Sequence, residues 1–169
     1  YMCQGATPRT GLNGEEKVRF SRDSKGVPED KKKVQVDKYL EIVGLSKYRK
    51  YYPKQLSASM LQRVSIARAF ATEPELLLMD EPYGQLDIEL RFRLEDELVK
   101  LWEMTKTTVL FITHNIEEAV YLGNKIMILT NKPTTVKTTL ENDLPSPRAM
   151  ADPNFVALRN QLTDLMKWG

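Results

Sequence analysis

Leu76 Leu77 Leu78 Met79 Asp80 Glu81 Pro82 Tyr83 Gly84 is an unbroken apolar run that stops at two acids and a proline. Its shortness and its sharp polar end predict a strand buried on both faces. On its upstream side, Leu61, Val64, Ala67 and Phe70 recur at helical spacing. They predict a helix over 59–71, with Ser57 or Ser59 placed to cap its start and Pro74 following its end. Downstream, Leu90, Leu94, Leu98, Leu101 and Trp102 mark one face of a long amphipathic helix, for which Asp87 is the candidate N-cap. A β-branched run over 107–113, a helix over 116–122 and a further strand over 125–130 complete the pattern. Strand, helix, strand, helix, strand predicts one parallel sheet with right-handed crossovers, so the fold class is α/β.

The flanks are less regular. Residues 5–33 are polar, with scattered Leu12, Val18, Phe20 and Val27, and read as loop. From Lys33, the residues Val34, Val36, Tyr39, Leu40 and Val43 predict a helix that stops at Gly44. Lys47 Tyr48 Arg49 Lys50 Tyr51 Tyr52 fits either a short helix with a solvated basic face, ended by Pro53, or a surface where aromatics stack bases and cations meet phosphates. Beyond Pro133 the pattern gives an outlying strand over 134–140, a linker at Leu144 Pro145 Ser146 Pro147 Arg148, and a terminal helix over 152–168 starting at Pro153.

Bulk properties narrow the function classes. With 169 residues, 41% of them hydrophobic, one domain with a real core is expected. Lys plus Arg number 25 against 23 acids, and a net charge of +2 supplies no long-range field selecting nucleic acid. The single cysteine, Cys3, cannot form an internal disulfide, which suits a reducing compartment. No apolar run approaches the roughly 18 residues needed to span a bilayer, so a membrane role has to come through a partner. The chain starts at Tyr1 without an initiator Met or signal-like segment, and is expected to be a piece that begins within a domain.

In open parallel sheets, ligands sit beyond the carboxyl ends of the strands. Two such ends carry chemistry here. Asp80 and Glu81 follow Met79, where one carboxylate can hold magnesium through water and its neighbour can orient an attacking water. The same pair also occurs at ordinary strand ends, facing solvent. The second end is Thr113 His114, carrying the chain's only histidine. A lone histidine is equally at home as a hydrogen-bonded bystander.

Leu56 Ser57 Ala58 Ser59 Met60 Leu61 Gln62 Arg63, then Asp80 Glu81 Pro82, then Gly84 Gln85 Leu86 Asp87, then Thr113 His114 resemble, in order and spacing, the ATP-binding cassette family. There they correspond to the signature motif, the Walker B strand with its glutamate, the D-loop and the H-loop. The resemblance implies a P-loop NTPase-like partial domain: a parallel β core with flanking helices plus a helical subdomain. Its parts would be 1–73, carrying the Q-loop remnant and the signature subdomain, 74–131 with the Walker B, D-loop and H-loop, and 132–169 as a C-terminal strand, linker and helix. It implies that Asp80 holds magnesium, Glu81 is the general base, and His114 contacts the γ-phosphate. Asp87 would link two sites across a dimer, and Gln4 would be the Q-loop glutamine that senses magnesium and the permease. Ser57, Ala58, Ser59 and Met60 would meet the ATP held by the opposite subunit. Tyr83 Gly84, Asn131 Lys132 Pro133, Leu144 to Arg148 and Asp152 Pro153 Asn154 Phe155 look more narrowly like the nitrate, sulfonate, taurine and bicarbonate importer group. That implies a homodimer at the cytoplasmic face of the membrane, working with permease subunits and, through them, an external solute-binding protein.

Two departures qualify the resemblance. Ala58 and Ser59 stand where the family usually has glycines, adding β-carbons where backbone must approach phosphate closely. The glycine-rich phosphate loop occurs nowhere in the sequence, so the amides and lysine that cradle the phosphates are absent, as is the strand preceding them. The chain alone is therefore expected neither to bind ATP tightly nor to remain a clean monomer. Two other readings stay open: a non-catalytic module lending its signature face to a competent partner, and a cassette ATPase that serves no transporter.

Overall fold

A computed structural model describes residues 2–3, 11–23, 28–84 and 86–167. The chain divides into two compact units, Tyr1–Ile112 and Thr113–Gly169.

The first unit is organised by a three-stranded parallel sheet in the order β1 (Met2–Cys3), β2 (Leu76–Asp80), β3 (Thr108–Ile112). Leu76 pairs with Thr108, Leu78 with Leu110 and Asp80 with Ile112, so both strands end at the same level. A short strand at Met2–Cys3 has no counterpart in the sequence reading; it lies beside Leu78 and Met79. Among the described residues only one face of the sheet is covered. Leu77 and Met79 are fully buried, whereas Leu76, Leu110 and Ile112 are 45%, 54% and 51% exposed. The expected burial on both faces is thus corrected: alternate side chains of a strand point to opposite faces, and one of these faces is bare here.

The helices of this unit are α1 (Gly14–Asp23), α2 (Glu29–Ile42), α3 (Ala58–Ala71) and α4 (Ile88–Thr105). α1 and α2 both pack on α3, which also meets α4. α1 corrects the loop reading of 5–33 where that stretch is described. Its apolar residues are sparse, but Asn13 and Glu16 exchange bonds, the Asn13 amide reaching Glu16 at 2.8 Å and the Glu16 amide reaching Asn13 at 3.0 Å. This is a capping box, a local start signal that periodicity does not register. α2 ends as read: Gly44 sits at φ 66°, its N–H reaches the Glu41 carbonyl at 2.9 Å and that of Leu45 reaches Leu40 at 2.7 Å. This is a Schellman motif, which needs the left-handed residue that glycine supplies. The basic-aromatic stretch 47–52 begins in a single 3-10 turn, Ser46–Tyr48, continues through a turn closed by the Tyr51 N–H on the Tyr48 carbonyl at 2.9 Å, and meets a second 3-10 turn at Pro53–Gln55. Arg49 is tied down by Glu15 and Asp37.

The second unit holds α5 (Ile116–Leu122), β4 (Lys125–Leu129), β5 (Val136–Glu141) and α6 (Pro153–Lys167). β4 and β5 form a separate antiparallel pair, correcting the expectation that the strand over 125–130 joins the parallel sheet. The short connection 130–135 explains the antiparallel pairing of β4 with β5, because it is long enough for a hairpin but far too short for a crossover. Ile126 and Ile128 face inward, and α6 buries Phe155 and Leu162 while packing on α5. The segment read as a linker is anchored. Asn142 donates to the Val120 and Gly123 carbonyls at 2.8 Å each, and Arg148 donates to the Tyr121 carbonyl at 2.7 Å. Those bonds satisfy the last carbonyls of α5, which its own helix cannot.

Candidate active site

Asp80 is the last residue of β2 and is exposed, at the carboxyl end of the strand. Glu81 follows at φ 42°, a left-handed conformation that a residue with a β-carbon rarely adopts. Its N–H donates to the Ile112 carbonyl at 2.9 Å, so the turn leaves β2 clipped to the end of β3. The Gly84 N–H closes the turn onto the Glu81 carbonyl at 3.3 Å. A β-carbon at Gly84 would lie 3.5 Å from Glu81 Oε2, so the carboxylate folds back over the turn. Beneath it, Tyr83 is fully buried, packs against Phe111 at 5.7 Å between ring centroids, and donates its hydroxyl to the Leu94 carbonyl at 3.3 Å.

Ser57 is the N-cap of α3: extended at φ −67° and ψ 164°, it accepts the Met60 N–H at 3.2 Å. Its hydroxyl also lies 2.8 Å from that of Ser59. Ser57 and Ala58 are exposed, and the amides of Ala58 and Ser59 have no partner among the described residues. A helix start with open amides attracts an anion. Ala58 and Ser59 keep their β-carbons at that place. Asp87 is the N-cap of α4 as read, accepting the Leu90 N–H at 3.0 Å. Gln85 and Gln4 lie outside the described residues, and so does any reading that rests on them.

The first unit therefore holds Asp80 and Glu81 at the turn 81–84 that leaves β2, and Asp87 at the start of α4. It links that turn to α3 through Gln62, whose Nε2 donates to the Pro82 carbonyl at 2.9 Å. Gln62 was quoted within the signature motif without a role. The signal for one was available: Gln62, Ile66 and Ala69 share a buried stripe of α3, and a buried polar group requires a partner.

His114 lies in the second unit, exposed in the turn that precedes α5. That turn is closely specified. Asn115 caps α5 by accepting the Glu117 and Glu118 N–H groups at 2.9 and 3.4 Å. Thr113 Oγ1 accepts the Asn115 N–H at 3.0 Å and donates to Glu118 Oε2 at 2.6 Å. Thr113, Asn115 and Glu118 thus fix the backbone on either side of the imidazole, a role that the sequence reading did not give them.

Among the described residues no group of three or more His, Cys, Asp or Glu side chains could hold a metal by itself. A single exposed carboxylate such as Asp80 nonetheless fits magnesium, which keeps several waters and is typically bound through one or two carboxylates plus substrate phosphates. No helix among the described residues is long and apolar enough to cross a membrane.

Comparison with known proteins accords with this geometry. The ABC transporter family model matches residues 4–84. An uncharacterised ABC transporter ATP-binding protein of Methanocaldococcus jannaschii is 39% identical over 150 residues, covering 89% of this chain and 56% of that protein. The aliphatic sulfonates import ATP-binding protein SsuB of Bacillus cereus is 42% identical over 137 residues, covering 81% of this chain and 55% of that protein. The chain thus spans little more than half the length of these curated relatives. The stretch that matches the ABC transporter family model, residues 4–84, takes in the Asp80–Glu81 end of β2 and the helix α3 capped by Ser57.

Proposed function

We propose that the chain is part of the ATP-hydrolysing subunit of an ABC importer for small oxyanionic solutes of the nitrate, sulfonate and taurine type. The observation that carries this is the Asp80–Glu81 pair at the carboxyl end of β2, in a turn clipped to β3 and to α3. The sulfonate-import name of one relative supports the solute class. In this reading residues 1–73 carry the Q-loop glutamine Gln4 and the signature subdomain, 74–131 the catalytic strands and loops, and 132–169 an accessory strand and helix.

Asp80 would hold magnesium, which when bound neutralises charge developing on the transferred phosphoryl group. Glu81 accepts a proton from the attacking water, a role typically worth ~10² to 10⁴ in rate. His114 donates a hydrogen bond to the γ-phosphate and steadies its charge. Ser57 and the amides of Ala58 and Ser59, with Met60 beside them, bind the ATP of a second subunit, and Asp87 spans the two sites. The subunit works as a homodimer beneath permease subunits at the cytoplasmic face, fed by a solute-binding protein outside.

Ala58 and Ser59 favour a second reading, in which this face is a weak hydrolytic partner that binds nucleotide without promoting its turnover. ATP binding and phosphate release by the intact ATPase separate the two. Under the first reading Glu81→Gln preserves binding and lowers release by ~10² to 10⁴. Under the second, the unaltered protein binds ATP and already fails to hydrolyse it.

A further inference from the structure

We infer that Gln62 is a positioning residue that sets the conformation of Glu81 and joins α3 to the acidic turn as one body. The inference rests on the proposed role of Glu81 as the base.

The turn 81–84 holds a conformation that its own residues do not favour. Glu81 is left-handed at φ 42°, and a residue with a β-carbon keeps such a conformation only where its surroundings impose it. Three neighbours do so. The end of β3 takes the Glu81 N–H through the Ile112 carbonyl at 2.9 Å. The buried Tyr83 side chain pins the far side to α4 through the Leu94 carbonyl at 3.3 Å. Gln62 supplies the third, donating to the Pro82 carbonyl at 2.9 Å.

Pro82 lacks an N–H, so its carbonyl is the one backbone polar group at that position that a neighbour can grip. Gln62 is 6% exposed, and Pro82 is buried as well. Without the Gln62 amide, that carbonyl would be desolvated and unsatisfied, and the peptide would turn to find water. Such a turn moves the adjoining Glu81 backbone out of its left-handed well and swings the carboxylate off Gly84. Gln62 sits one turn into α3, which follows its N-cap Ser57. A displacement of that helix start is therefore passed to Glu81 through a single bond.

The test uses the intact ATPase containing this chain. Gln62→Met keeps the side-chain length without the donor, and Gln62→Glu keeps its shape while turning the donor into an acceptor. Either variant is expected to lower kcat roughly 10- to 100-fold, the scale of a misplaced catalytic group, with KM for ATP changed less than about twofold. Amides of 81–86 should exchange with deuterium faster in the variant while those of α3 stay protected. In a Glu81→Gln background, Gln62→Met should have no further effect on residual turnover, whereas a merely structural role would lower it again. Unchanged kcat and unchanged exchange at 81–86 in Gln62→Met, with Glu81→Gln inactive, would overturn the inference and leave the proposed function standing. A Glu81→Gln protein with full activity would sink the proposed function itself. Should both Gln62 variants be recovered unfolded, exchange in the unaltered protein decides. Amides of 81–86 as protected as those of α3 support the inference, and rapid exchange at 81–86 alone refutes it.

Discussion

Glu81 and Ser57 show how a side chain is aimed by backbone that it does not control. The Glu81 carboxylate folds over Gly84 because the turn is gripped from β3, α3 and α4. Among the described residues the amides of Ala58 and Ser59 stay open, while the Ser57 hydroxyl takes the Met60 N–H. The β-carbons of Ala58 and Ser59 stand at this helix start, where phosphate would have to come close. Restoring glycine at both positions in the intact ATPase should raise steady-state turnover; no gain would mean that Ala58 and Ser59 do not limit it. Away from the site, Lys17 on α1 is only 7% exposed. Burial, with the Arg68 charge adding to it, holds its amine below the usual lysine range. Folding therefore disfavours its proton: between the folded and the ordinary pKa the unfolded chain binds more protons, and stability rises with pH. The penalty is complete below the folded pKa and disappears above the ordinary one. Lys17→Met should raise the melting temperature at pH 7, with the difference from the unaltered protein shrinking above about pH 10. Equal melting temperatures at pH 7 would contradict it.

At the scale of elements, starts and stops are set by a few polar side chains. Asp87 caps α4 and Asn115 caps α5. Asp87→Ala should cost about 1 kcal/mol in a denaturant titration of the intact protein, and a cost near zero would show that the cap is not used. Where such signals were strong, the sequence was legible: Asp87, Gly44 and Pro153 each mark the boundary that was read from them. The helix over 116–122 and the strand ending at Asp80 also stand where periodicity put them. α1 was missed because its start depends on the Asn13–Glu16 pair and its burial on Val18 alone among its described apolar side chains. The separate β4–β5 hairpin was missed because an apolar run fixes a strand but not its partner; the six-residue connection 130–135 carried that information. Of the candidate site, motif order singled out Asp80, Glu81, Ser57 and His114, whose roles are those proposed above. Gln62, Tyr83, Thr113 and Glu118 were not, because their work is holding backbone, which only coordinates reveal.

On the scale of the whole molecule, the parallel sheet leaves Leu76, Leu110 and Ile112 bare, and β3 forms its edge among the described residues. An uncharged strand at a sheet edge beside an apolar face invites pairing with other chains. This polypeptide alone should therefore self-associate with rising concentration in sedimentation velocity, and Leu110→Lys should suppress it. A monodisperse monomer at tens of micromolar would contradict that. The central proposal is that the Asp80–Glu81 turn serves a bound nucleotide. A crystal structure of the intact Glu81→Gln ATPase with ATP and magnesium tests this most directly. The expected result is the side chain at 81 within about 2.6 to 3.2 Å of the γ-phosphate or its attacking water; a nucleotide seated away from the Asp80–Glu81 turn would contradict it.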